Sequence, residues 1–435
     1  MMLDRIFKLR QAGTTVRTEL IAGCTTFLTM AYIIFVNPKI LSSTGMDANA
    51  VFVATCLAAA IGSATMAFWA NWPIAMAPGM GLNAFFAFTV VAKLGYSWQQ
   101  ALGAVLISGL IFLILSLTGL RRWLIEGIPA SMRSAIAAGI GLFLAIIALK
   151  SAGVVVANPA TFVSLGDMTS PGVLLSLGGF FVIAALDVLK VRGAILIGIL
   201  ATTLAAILTG VSQFSGIAAP PPSLAPTFLQ LDVSGVLHGG LLHVVLVMVL
   251  VEVFDATGTL IGIAKRANLL GHDPAHTNIG LNRALMADST AIVAGAMLGT
   301  SSTTAYIESA AGVQAGGRTG LTALVVAVLF LLATFLAPLA GSVPAQAVAP
   351  ALLYVAVLML RELVDVTWED ATETVPAVLA ALIMPFTYSI ANGLAFGFIS
   401  YAGLKLLTGR AREVHAATWL VAALFVLRFV LYPEG

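Results

Sequence analysis

The chain has 435 residues, 60% of them hydrophobic and only 9% charged, with a formal net charge of +2. A soluble domain carries about 25% charged residues, so this composition excludes a string of soluble domains and indicates an all-α polytopic membrane protein. No basic block suggests nucleic acid, and Cys24 and Cys56 lie in apolar runs that suggest neither a disulfide framework nor a metal site.

Residues 1–18 are short, basic and amphipathic, without a cleavable-signal pattern, and read as a cytoplasmic N-terminal tail. A membrane-crossing helix needs about 20 apolar residues. Apolar runs near 19–36, 51–69, 76–93, 98–119, 131–150, 173–189 and 193–213 give seven spans in residues 19–213. A Pro-rich external connection follows at 214–238. Residues 239–409 hold seven more runs, near 239–263, 284–298, 305–317, 319–340, 344–361, 374–390 and 391–409. In the C-terminal segment, 410–435, the apolar run 416–432 contains Arg428 and is expected to lie in the interface or against the bundle.

Basic residues concentrate on the cytoplasmic side of membrane proteins. With the N-terminus cytoplasmic and every run crossing, seventeen Lys and Arg face the cytoplasm. Only Lys39, Lys93 and Lys150 lie outside, and Arg428 completes the 21. Such asymmetry requires the crossings to be counted correctly, and fourteen fit.

Seven spans per half is an odd number, so the two halves take opposite orientations. The third span of each half is anomalous. Trp72-Pro-Ile-Ala-Met-Ala-Pro78-Gly79-Met80-Gly81-Leu82-Asn83 and Gly299-Thr-Ser-Ser-Thr-Thr304-Ala-Tyr306-Ile307-Glu308-Ser-Ala-Ala-Gly312 are each too polar or too rich in glycine and proline for a lipid-facing helix. Each reads as a short extended strand followed by a half-helix. Irregular backbone at bilayer depth requires surrounding protein or a watery cavity, and interrupted spans at matching places in inverted repeats point to a transporter's binding site. The two half-helix N-termini would meet near the midplane, each with roughly half a positive charge. If the extended pieces pair, Pro78, lacking an N–H, must occupy a non-bonding position.

Ionisable groups inside a membrane are functional candidates. Glu308 opens the second half-helix, where free N–H groups and the dipole are expected to stabilise an anion. Glu252 and Asp255 are three residues apart on one helical face, and Thr259 extends that face. Asp255 is expected at a cavity, whereas Glu252 has an equal alternative as a hydrogen-bonding partner within the bundle. Asp288 either supports the Asp255 region or, by slight preference, caps the cytoplasmic start of its own helix. His272 and His276 have helical spacing but no cysteine partner, and Pro274 lies between them, so a metal site there is discounted. Gly139/Gly141 and Gly79/Gly81 lack a strand–turn–helix context for dinucleotides. Ser301 and Ser302 lack a base for hydrolysis, so no enzyme activity and no cofactor are expected. No phosphate-binding loop for ATP is present.

Three motifs carry a family resemblance. Asn71–Phe86, Phe254-Asp-Ala-Thr-Gly-Thr-Leu-Ile-Gly262 and Thr303-Thr-Ala-Tyr-Ile-Glu-Ser-Ala-Ala-Gly-Val313 resemble the third-, eighth- and tenth-span signatures of AzgA-type purine permeases, within the nucleobase–ascorbate transporter group. The resemblance runs the length of the chain, departing at Ala256-Thr257, where a Thr-Ile-like pair is expected. It implies a core domain from spans 1–4 and 8–11, a gate domain from the other six, and a homodimer as one assembly. It also implies that Asp255 and Glu308 bind the nucleobase, with Thr259, Met80, Thr304, Tyr306 and Ile307 around it. Residue chemistry and resemblance together suggest symport of a purine (adenine, hypoxanthine or guanine) with a proton across the cytoplasmic membrane, with Asp255, Glu308 or Asp288 in proton coupling. Phe254 is a further candidate for packing on the base. The alternatives are a uracil or xanthine transporter of the same fold and a sulfate-type anion exchanger.

Overall fold

The computed structural model describes residues 2–118, 123–124, 127–238, 240–267, 269 and 274–431. His272, Arg121 and Arg122 fall outside them. Among the described residues nine helices are long and apolar enough to cross a membrane, and shorter apolar helices include Met80–Lys93, Ala194–Leu208 and Ala371–Thr387. With the 25-residue helix Pro274–Leu298 and the strand-and-helix segment around Glu308, they make up the fourteen expected segments, numbered spans 1–14 below.

The short strands explain the anomalous third spans. Strand β1 (Met76–Pro78) precedes the half-helix of span 3. Strands β2 (Val155–Asn158) and β3 (Phe162–Leu165) form a hairpin between spans 5 and 6, and β4 (Thr303–Ala305) precedes the half-helix Ser309–Gln314 of span 10. β1 and β4 pair antiparallel, Met76 opposite Ala305, Ala77 opposite Thr304 and Pro78 opposite Thr303. The ladder continues at both ends, where Gly79 N–H donates to the Ser302 carbonyl at 2.9 Å and Tyr306 N–H to the Ala75 carbonyl at 3.0 Å. Bonded pairs alternate along an antiparallel ladder, so the Pro78–Thr303 pair falls between them. Proline therefore removes no ladder bond. The amides of the same parity point away from the ladder to side chains: Met76 N–H donates to Ser63 Oγ at 2.9 Å and Ala305 N–H to Asp288 Oδ1 at 3.2 Å. Every such bond satisfies backbone that lipid cannot reach.

Span 1 extends beyond the predicted 19–36. It runs as Val16–Met30, a joint at Ala31-Tyr32, then Ile33–Ser42. Pro38 lies inside the second piece and cannot donate to a carbonyl one turn earlier, which loosens the helix there. Span 9 is also longer than predicted, because its polar first half extends back to Pro274.

Packing separates the segments into two groups. Spans 1, 2, 4, 8, 9 and 11 pack on one another and surround the strands. Spans 5, 6, 7, 12, 13 and 14 form the second group, in which span 5 lies against spans 12 and 13. Small residues allow close approach within each group. A Cβ on Gly320, at the start of span 11, would stand 2.2 Å from the Ala67 carbonyl oxygen and 2.8 Å from its Cα. The amide of Gly320 also donates to Asn71 Oδ1 at 2.8 Å. Backbone cannot yield as a side-chain tip does, so Gly320→Ala is expected to cost ~2 kcal/mol, within the usual range for overpacking. A thermal midpoint equal to the parent's in detergent would contradict this packing.

The C-terminal helix Ala416–Leu431 packs on span 14. Its Phe425 ring stacks on Phe398 with centroids 6.3 Å apart. Arg428, 5% exposed, donates from Nη1 to Asn392 Oδ1 at 3.1 Å. The run thus has a face committed to the bundle, and its one cation is turned inward.

Candidate substrate site

The paired strands end where the two groups of spans face each other, and a cavity of ≈ 110 Å³ opens there. Met80, Asp255, Thr259, Thr304, Tyr306, Ile307 and Glu308 all line it, so these seven expected substrate-binding residues converge on one place. Ile140, Val355 and Met359 close the cavity from the second group. Polar groups come from one side and apolar wall from the other. None of the described lining residues is basic.

Local structure explains each placement. Asp255 and Thr259 lie one turn apart on span 8, Leu242–Arg266, and both reach the cavity. A Cβ on Gly79 would stand 2.8 Å from Thr304 Cγ2 and 3.8 Å from Asp255 Oδ2. Glycine at this strand-to-helix turn therefore lets the backbone approach both. Tyr306 is held from the strand side, its hydroxyl donating to the Pro78 carbonyl at 2.6 Å. Ile307 is 55% exposed and forms part of the cavity's open rim.

Glu308 is held differently from the expectation. It occupies the N-cap position of a six-residue helix, but its side chain makes no cap hydrogen bond. Its Oε1 instead accepts from the Tyr32 hydroxyl at 2.6 Å. A half-helix this short offers little dipole, and a phenol from span 1 supplies the donor.

The other acids are resolved by position. Glu252 is fully buried and accepts from Ser302 Oγ at 2.8 Å and Ser108 Oγ at 3.1 Å, so it is a partner within the bundle. Asp288 does not cap its helix, which begins at Pro274. It sits within the helix, behind β4, and accepts the Ala305 amide, close to the supporting role that was the second expectation. Phe254's side chain lies outside the described residues, as does His272 of the discounted histidine pair.

Sequence reasoning missed Tyr32 and the apolar wall. Tyr32 was the one polar side chain in the run Ala31-Tyr-Ile-Ile-Phe-Val36, and that was the available signal. Ile140, Val355 and Met359 sit in ordinary apolar spans and gave none.

Fourteen segments in two packed groups, with paired interrupted spans carrying carboxylates into a central cavity, define a membrane transporter of the inverted-repeat class. The chain belongs to the Permease family, which matches residues 17–396. It is 50% identical to the adenine permease AdeP of Escherichia coli K12, over 99% of this chain and 96% of that protein. It is 45% identical to the guanine/hypoxanthine permease PbuO of Bacillus subtilis 168, over 98% and 100%. Among solved structures, the transmembrane domain of the cyanobacterial bicarbonate transporter BicA superposes with a TM-score of 0.65 at 18% identity, covering 86% of this chain and 96% of that one. SLC26A9 superposes with a TM-score of 0.61 at 13% identity, covering 91% and 66%. These two likenesses concern the fold alone. The relatives are permeases, and this chain is a multi-pass membrane transporter, not an enzyme.

Proposed function

We propose that this chain imports a purine nucleobase by symport with a proton, and that the base is held by Asp255 and Glu308. The observation that carries the reading is a pair of carboxylates lining one cavity among apolar and hydroxyl-bearing side chains, with no basic residue among the described lining. A purine is planar, with N–H donors on its edge and apolar faces. Asp255 and Glu308 accept from the edge, Thr259 and Thr304 add hydroxyls, and Met80 and the Tyr306 ring pack on the faces. The names of the adenine and guanine/hypoxanthine permeases support the same substrate class.

In this mechanism Asp255 or Glu308 takes up the coupled proton, which lowers the cost of carrying a charged group through the membrane. Asp288 is assigned to holding β4 in place. The group bearing the strands moves as a core against spans 5–7 and 12–14 as gate, exposing the cavity to each side in turn. The distribution of basic residues supports a cytoplasmic N-terminus, in the cytoplasmic membrane. A homodimer through the gate group is the proposed assembly. The fold neighbours include a bicarbonate transporter, but two carboxylates at the cavity repel an anion.

Uptake of labelled adenine into proteoliposomes, with and without an inward proton gradient, tests the reading. Gradient-dependent uptake is expected, with competition from unlabelled hypoxanthine or guanine and none from sulfate. Uptake indifferent to the gradient removes the proton from the mechanism. Preferential competition by uracil or xanthine moves the substrate within the family, and failure of purines both to enter and to compete overturns the proposal.

A further inference from the structure

We propose that Tyr32 is a positioning residue for this site, fixing the Glu308 carboxylate toward the base and linking it to the joint in span 1. The inference rests on the purine reading and deepens it. Tyr32 is 1% exposed, lines the cavity and donates to Glu308 Oε1 at 2.6 Å. That is the length of a strong bond from a hydroxyl to a carboxylate. With Oε1 anchored by the phenol, the carboxylate retains acceptor capacity for a ligand.

The neighbouring aromatic cannot take over this task, because the Tyr306 hydroxyl is committed to the Pro78 carbonyl at 2.6 Å. The two rings lie 6.5 Å apart and tilted by 44°, so each hydroxyl serves a different partner on the same wall. Glu308 has a long, rotatable side chain and no cap bond of its own. Without the phenol it must be ordered when the ligand arrives, and that ordering lowers affinity.

The location of Tyr32 gives the bond a second consequence. It follows Ala31, where the helix Val16–Met30 ends, and precedes Ile33–Ser42. Around it the bonds tighten to Ile34 N–H with the Ala31 carbonyl and Phe35 N–H with the Tyr32 carbonyl, both 3.1 Å. The phenol projects from the joint between two rigid pieces. A change at Glu308 therefore reaches span 1 at the turn where its helical bonding shifts.

Adenine uptake is measured first for the parent, and its absence there would remove the purine reading before any variant is made. For Tyr32→Phe the expected result is a KM raised about tenfold, the lower end for losing a bond to a charged group, with a maximal rate within about twofold. On a Glu308→Asp background, whose shortened side chain draws away from the phenol, the same substitution is expected to add less than about twofold, since groups that no longer interact show no coupling. A parent-like KM overturns the assignment, as does a lost rate at a parent-like KM, which a merely structural role would give. If Tyr32→Phe does not accumulate, Tyr32→His, which retains a ring donor, replaces it. A KM within about threefold of the parent then supports the assignment, and a KM raised about tenfold or more overturns it, because restoring the charge-assisted bond should restore affinity.

Discussion

Glu308→Gln is expected to abolish concentrative purine uptake, with kcat/KM falling ~100-fold or more, and Asp255→Asn to do nearly the same. Each change preserves shape while replacing one acceptor oxygen by a donor. At Glu308 the amide either presents N–H to a base edge that also presents N–H, or turns it toward Tyr32 and loses the bond to that hydroxyl. A hydrogen bond to a charged group contributes ~1.5–3 kcal/mol, and leaving a buried donor unsatisfied adds a further penalty, so a loss of two decades or more follows. Neither amide can carry the coupled proton. The two variants differ in what remains. The one that removes the proton carrier should retain exchange of internal for external purine while losing accumulation, and the other should lose binding as well. Counterflow and equilibrium binding separate these outcomes. Full accumulation by both variants would remove both carboxylates from the mechanism.

Glu19→Ala is expected to produce the largest loss of stability, ~3 kcal/mol or more, from the penalties of leaving buried amides unsatisfied. Glu19 sits in the first turn of span 1 and is fully buried. Its Oε1 accepts the Arg318 amide at 2.8 Å. Its Oε2 accepts the amides of Thr319 at 3.3 Å and Thr322 at 3.1 Å, and the Thr322 hydroxyl at 2.6 Å. One carboxylate thus satisfies the opening of span 11, which begins at Gly320, and its charge suits the positive end of that helix. Alanine removes this acceptor from the Arg318 and Thr319 amides, while Thr322 keeps longer bonds, from its amide to the Thr319 carbonyl at 3.2 Å and from its hydroxyl to the Glu19 backbone carbonyl at 3.5 Å. Glu19→Gln, which keeps one acceptor oxygen, should lose about half as much, because part of the donor set remains satisfied. Thermal unfolding in detergent reads both, and an Ala variant as stable as the parent would show that water replaces the carboxylate.

The architecture was legible because lipid constrains sequence so strongly. Backbone must be satisfied within each span, so long apolar runs marked the spans, and the clustering of Lys and Arg fixed their number. The glycines and prolines around Pro78-Gly79 and the polar run Gly299–Thr304 marked the two interruptions, since neither could face lipid. Asp255 and Glu308 stood out because an acid in an apolar span requires a reason. Purine chemistry itself came from motif resemblance, and composition alone would have supported any solute.

Tertiary structure decided the questions that depend on who the neighbour is. Sequence spacing placed Glu252 and Asp255 on adjacent parts of one face. Only packing showed that Glu252 meets Ser108 and Ser302 while Asp255 meets the cavity. From sequence alone, an apolar run beginning at 284 favours Asp288 as a cap over support for the Asp255 region. The helix starts at Pro274, and a strand 17 residues further along the chain supplies its partner, the Ala305 amide. Sequence ties Glu308 to its own helix, yet its donor is Tyr32, 276 residues away in sequence. Local rules of periodicity, capping and breaking act within a few residues and are written in the chain. A hydrogen bond between the first and tenth spans depends on how the two halves come together.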